Sequence, residues 1–124
     1  MTKIDNPFHN YVQDLFSDIG RISIRKMFGG AGVYAGEDMF ALIDQEQLYV
    51  KADDPFKADL LSQGGQPFVW TNPETGRTLT MSYVSLPDAA LDDSSLATNL
   101  GQRALEVSIR SRRERVKSPR RRTF

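Results

Sequence analysis

One glycine-punctuated stretch, residues 25–51, constrains this chain more than any other part of it. Leading into it, Ile22, Ile24, Lys26 and Phe28 alternate with Ser23, Arg25 and Met27, the period of an extended strand with two unlike faces. Gly29, Gly30 and Gly32 follow within four residues. Glycine enters the left-handed backbone region without steric cost, so this cluster predicts a sharp reversal made by positive φ. Extension resumes over residues 32–35, breaks at Gly36-Glu37-Asp38, and returns over 39–44 with apolar residues on both faces. After a polar turn, residues 48–52 alternate again. The expected product is a four-stranded antiparallel meander with its third strand central.

Helix signals flank the meander. Asn6 is a capping residue, Pro7 suits a first turn, and Phe8, Tyr11, Val12, Leu15, Phe16 and Ile19 repeat at helical spacing up to a stop at Gly20. The apolar stripe of this helix is expected to cover the sheet. After the meander, Asp54-Pro55-Phe56-Lys57-Ala58-Asp59-Leu60-Leu61 reads as a short helix with an aspartate cap, halted by Gly64-Gly65. Residues 67–71 and 77–84 form a second hairpin across Asn72-Pro73-Glu74-Thr75-Gly76. In it Leu79, Met81 and Tyr83 face one way, and Thr78, Thr80 and Ser82 the other.

Asp93 caps a last helix on which Leu96, Ala97, Leu100, Ala104 and Val107 share a face, with Gly101 weakening it by about 1 kcal/mol relative to alanine. Leu105, Ile109 and Val116 form a second stripe on the opposite side, either packed on the same domain or available for self-association. The fold class is therefore α+β: a mostly antiparallel sheet, meander plus second hairpin, packed with N-terminal and C-terminal helices. Residues 1–109 make the domain. Residues 110–124 make a basic C-terminal tail, first a helix extension and then too poor in apolar residues to pack.

Charge is divided between those two parts. The 124 residues carry 16 basic and 16 acidic groups, but residues 110–124 hold eight of the bases and only one acid, net +7 against −7 for the rest. Such an end binds a polyanion or folds back onto its own acidic body. If all eight bases met duplex DNA, the log–log salt slope would approach about −7. The absence of cysteine excludes disulfides, thiol nucleophiles and thiolate metal sites, and suits a reducing cytoplasm. The first residues, Met1-Thr2-Lys3-Ile4-Asp5-Asn6-Pro7, lack the apolar run of a signal peptide. No segment reaches the ~18 apolar residues of a membrane span, so a soluble cytoplasmic protein without a membrane partner is expected.

Chemistry is sparse, and no catalytic, cofactor or metal residues are assigned. The glycines lead into a strand, not a helix, and no lysine stands at nucleotide-loop spacing, so they read as a turn. Arg25 and Lys26 beside them are either an anion site or a solvated strand face. His9 is the single histidine and lies at the edge of the first helix's apolar stripe. The acid pairs Glu37-Asp38, Asp53-Asp54 and Asp92-Asp93 fall at turns and helix starts, where carboxylates cap. Ser82 and Thr80 lack a nucleophile elbow. Trp70, Tyr49 and Tyr83 are read as core aromatics in preference to stacking surfaces for bases.

The run Arg25-Lys26-Met27-Phe28-Gly29-Gly30 resembles the N-terminal domain of the TfoX/Sxy competence regulators. So do Met39-Phe40-Ala41-Leu42-Ile43, Leu48-Tyr49-Val50-Lys51, Thr80-Met81-Ser82-Tyr83 and Leu86-Pro87. The resemblance implies a non-enzymatic domain that promotes competence gene expression through protein contacts with a DNA-bound transcription regulator. Larger members of the family carry a further helical domain, where this sequence has its basic end. The expected contact surface is the motif Arg25, Lys26, Met27, Phe28, Gly29, Gly30, Gly32 and Tyr34, or the second stripe of the last helix, Leu105, Ile109 and Val116, which would also serve a homodimer. The alternative is a weakly sequence-specific DNA or RNA binder acting through Arg110, Arg112, Arg113, Arg115, Lys117, Arg120, Arg121 and Arg122. A third expectation is an enzyme or small-ligand protein using a pocket beside the glycine turn.

Overall fold

The computed structural model describes residues 6–27 and 30–117, side chains at 79–81 and 115–117 excepted. In chain order the elements are α1 (Pro7–Leu15), β1 (Ile22–Met27), β2 (Gly30–Ala35), β3 (Asp38–Asp44), β4 (Gln47–Lys51), α2 (Asp54–Ser62), β5 (Pro67–Thr71), β6 (Thr78–Ser85), α3 (Asp88–Leu91) and α4 (Ser94–Lys117). The strands form one antiparallel sheet in the order β1-β2-β3-β4-β6-β5. The expected meander is present, and the second hairpin extends it because β6 pairs with β4.

The glycines of β2 act for a reason other than the expected one. Positive φ occurs at Gly20, Gly36, Gly64 and Gly76, but not at Gly30 or Gly32. Gly30 lies where the backbone of β3 approaches too closely for a side chain, and Gly32 where the side chains around it leave little room. A Cβ at Gly30 would stand 2.3 Å from the Ile43 carbonyl oxygen, and one at Gly32 would stand 3.0 Å from both Met39 Sδ and Tyr34 Cε1. Phe28 and Gly29, at the reversal itself, lie outside the described residues.

Capping follows the sequence closely. The Asn6 side-chain oxygen accepts from the Phe8 amide at 2.8 Å and the His9 amide at 3.3 Å, a cap worth about 1 kcal/mol. For α2 the capping residue is Asp53, one before the expected Asp54; it accepts from the Phe56 amide at 3.1 Å. That helix closes as Gly65 donates to the Leu60 carbonyl at 2.8 Å, with Gly64 at φ +98°. Asp93 caps α4 through the amides of Ser95 and Leu96. The four-residue α3 had no periodic signature in the sequence. It is tied to the first helix by the Tyr11 hydroxyl, which donates to the Leu91 carbonyl.

The core lies on one face of the sheet. Ile22, Ala31, Val33, Ala41, Ile43, Leu48, Val50 and Val84 project from the strands, joined by Phe40, which the register leaves unpaired between Ala41 and Met39. Against them pack Val12, Leu15 and Phe16 from the α1 region, Phe56 and Leu60 from α2, Ala90 from α3, and Ala97, Leu100, Ala104 and Val107 from α4. The chief cover is α4, lying across β3 and β4, while the opening helix sits at the β1 edge and against α4. The expectation that the stripe of α1 packs on the sheet holds at the β1 edge and where Phe16 meets Phe40, but α4 supplies most of the cover. The outcome is physical: Ala97 and Ala104 are fully buried in the core, and Gly101 lets the longest helix lie close against Phe16 and Ile19.

Candidate interaction face

The opposite face of the sheet is built from large aromatic and aliphatic side chains, and among the described helices only the end of α4 reaches it, where Ser108, Ser111 and Arg112 line a small cleft with Met39, Lys51 and Tyr83. Every buried apolar side chain that the helices contribute belongs to the core cluster just described, whereas the buried Leu42 and Tyr83 belong to no part of it. Strand alternation places Arg25, Tyr34, Met39, Leu42, Tyr49, Lys51 and Tyr83 on this second face, and Phe68 and Trp70 continue it across β5. Phe68 meets the Tyr49 ring with centroids 4.9 Å apart. Trp70 stands 39% exposed on the edge strand, next to Val69 at 48%.

Two cations stand over this aromatic ground. The Arg25 guanidinium sits 4.3 Å from the centre of the Tyr34 ring and the Lys51 ammonium 5.2 Å from that of Tyr83. Burial, aided by the neighbouring Tyr34 phenol, pushes Tyr83 up to about 12, so its hydroxyl stays neutral. Burial and Asp44 also raise Tyr49. The arrangement offers broad apolar area with a few polar tips, which is the makeup of a protein-recognition surface.

Of the three aromatics read as core, Tyr83 is buried, though on the second face and outside the main cluster, while half-buried Tyr49 and exposed Trp70 correct that reading. A signal was present in the sequence, since Tyr49 and Lys51 alternate on one side of β4. Within the expected motif surface, Arg25, Met27, Gly32 and Tyr34 come together here, while Lys26 points to the other side of β1. Phe28 and Gly29 of that motif lie outside the described residues.

The basic end of the chain is partly consumed by its own domain. The Arg112 guanidinium donates to both oxygens of Asp38, from Nε at 2.7 Å and from Nη2 at 3.2 Å, and this contact raises its pKa. Arg110 donates to Asp53 at 3.1 Å and Arg103 to Asp59 at 2.9 Å. The Ser108 hydroxyl donates to the Met39 carbonyl at 2.9 Å, fastening the same stretch to β3. Although burial opposes it, the Phe56 amide and Arg110 together lower the pKa of Asp53. So Arg110 and Arg112, counted as nucleic-acid contacts from sequence, form ion pairs within the domain; Arg113 is exposed. The side chains of Arg115 and Lys117, and residues Arg120, Arg121 and Arg122, lie outside the described set. Helix α4 continues unbroken past residue 109. On the second stripe, Leu105 packs against the domain's own core, Ile109 is half-buried, and the Val116 side chain is outside the described set.

A cleft of about 570 Å³ opens beside the start of β2, lined by Asn6, Phe8, His9, Lys26, Met27, Gly30, Ile43, Gln45 and Glu46. The cleft lies where the ligand-pocket expectation put it, though without Arg25. Among the described residues, no three His, Cys, Asp or Glu side chains are grouped to hold a metal ion. No described helix is long and apolar enough to cross a membrane.

Fold and surface together define a two-layer α+β domain whose helices pack mainly on one face of the sheet. Residues 14–108 match the TfoX N-terminal domain, and the chain belongs to that family. It is 29% identical to DNA transformation protein TfoX1 of Aliivibrio fischeri over 118 residues, 95% of this chain and 53% of the relative. With DNA transformation protein TfoX of Haemophilus influenzae it shares 29% over 83 residues, 66% of this chain and 38% of that protein. Protein Sxy of Escherichia coli is 25% identical over 111 residues, 85% of this chain and 52% of Sxy. The chain thus spans about half the length of the curated relatives it matches, or less.

Proposed function

We propose that this domain is a cytoplasmic, non-enzymatic adaptor in the regulation of DNA transformation, docking a transcription-regulatory protein on its uncovered aromatic face. The names of its relatives supply the biological setting. The observation that carries the reading is the face itself: Arg25 on Tyr34, Lys51 on Tyr83, and Phe68 and Trp70 at the edge strand, with only the end of α4 approaching at Lys51 and Tyr83. Aromatic residues and arginine are the side chains most enriched among interface hot spots. The adaptor reading is favoured over nucleic-acid binding by the basic end because two of that end's arginines are paired with Asp53 and Asp38.

The test compares two kinds of variant. Arg25→Glu and Trp70→Ser alter exposed positions and leave the core intact. They are expected to retain the folded circular dichroism spectrum while losing activation of competence-gene transcription and nuclease-resistant co-purification with the regulator. If both variants keep these properties and a chain lacking residues 110–124 loses them, the role belongs to the basic end.

A further inference from the structure

The cleft beside the start of β2, which touches the aromatic face only through Met27, holds two basic side chains. His9 lies in the first turns of α1 and Lys26 near the end of β1, both lining the same 570 Å³ space. Neither makes an ion pair within 4.0 Å among the described residues, whereas Arg103, Arg110 and Arg112 all do. Two bases facing one space repel each other when both are charged, and an anion between them relieves that repulsion. The rest of the lining is Phe8, Met27, Gly30 and Ile43, the neutral amides of Asn6 and Gln45, and one carboxylate, Glu46. A volume of this size falls in the range of small-molecule sites.

The rim is held in a costly shape. Gln45 and Glu46 both take left-handed backbone, φ +51° and +59°, in the two-residue turn that the Asp44–Gln47 pair closes. Such a turn suits asparagine and glycine better, and strain of this kind gathers at ligand clamps. Gly30 lets the floor close, since a side chain there would strike the Ile43 carbonyl.

We propose that this cleft binds a small organic anion, a carboxylate or phosphate on an apolar body, with the anionic group between His9 and Lys26 and the body against Phe8 and Ile43. Burial first, and then Lys26, hold the His9 imidazole below its ordinary value. The groups facing it from other elements are Lys26 on β1 and Glu46 in the β3–β4 turn. An arriving anion favours the imidazolium, so binding raises the His9 pKa and tightens as pH falls toward it.

The experiment titrates the full chain with hexanoate, with hexanamide as the uncharged control, and with inorganic phosphate. It follows the His9 imidazole resonances, which are unique in this sequence. Hexanoate is expected to give a saturable shift and a higher His9 pKa, and hexanamide neither. Lys26→Met is expected to weaken hexanoate about tenfold, the loss of one charge-assisted contact, and Lys57→Met to leave it unchanged. His9→Gln, followed by thermal shift, is expected to abolish the dependence of binding on pH. The proposal is overturned if hexanoate gives no saturable shift, or if Lys26→Met binds it as wild type does. Phosphate saturating the same resonances as tightly as hexanoate overturns the assignment to an organic anion.

Discussion

Gly101 sets two well-measured effects against each other, and the structure decides which one wins. On helix propensity alone, Gly101→Ala stabilises α4 by about 1 kcal/mol. However, a Cβ there would stand 2.7 Å from Ile19 Cδ1, 2.8 Å from Phe16 Cε1 and 3.0 Å from Phe16 Cδ1. The Ile19 methyl ends a half-buried chain and can turn aside. The Phe16 ring cannot, because it is fully buried and held edge-on against Phe40 with centroids 5.2 Å apart. Overpacking a fixed ring costs roughly 1–3 kcal/mol, which exceeds the helical gain. The net expectation is a loss of about 1 kcal/mol, seen as a lower urea midpoint at unchanged slope and a Tm lower by roughly 4 °C. Truncating Ile19 to alanine should not make Gly101→Ala favourable, since Phe16 still blocks it. A Gly101→Ala protein more stable than wild type would refute the reasoning, because α4 would then not approach Phe16 this closely.

Gly30→Ala should be more damaging than any substitution at a glycine chosen for φ alone, since its Cβ meets backbone oxygen at 2.3 Å; thermal melts against Gly36→Ala check the order. The lowered pKa of Asp53 means that its stabilising effect is present above the unfolded value of 3.8 and is lost as pH falls below it. Asp53→Asn should therefore flatten that part of the stability–pH curve. With its pKa raised to about 12, Tyr83 contributes stability that is whole below 10 and disappears as pH rises toward 12. Phenolate absorbance should show a last-ionising tyrosine that Tyr83→Phe removes.

Local patterns made most of the fold legible. Alternation at 22–28 and 48–52, the turn residues at 72–76, and the caps Asn6 and Asp93 each announce an element within a few positions of themselves. What stayed hidden depends on partners far along the chain. Gly30 is fixed by the β3 backbone across the sheet and Gly32 is crowded by Met27, Tyr34 and Met39, so the sequence suggested a backbone conformation where the true constraint is space. Arg110 and Arg112 find aspartates 57 and 74 residues away, a relation that composition registers only as opposite net charges. The aromatic face was spelled out by Tyr49 and Lys51, but which side the helices would cover is settled by α4 packing as a whole. The choice between Asp53 and Asp54 as cap is a one-residue ambiguity that two adjacent acids always leave.

The most direct test of the adaptor reading places a photo-crosslinking side chain at position 34 or 70 on the uncovered face, and at position 61 on the exposed side of α2 as a control. With nuclease-treated extract of the native cell, positions 34 and 70 are expected to trap one transcription-regulatory protein that position 61 does not. Equal trapping at all three positions, or trapping at position 61 alone, would contradict the claim that this face is where the partner docks.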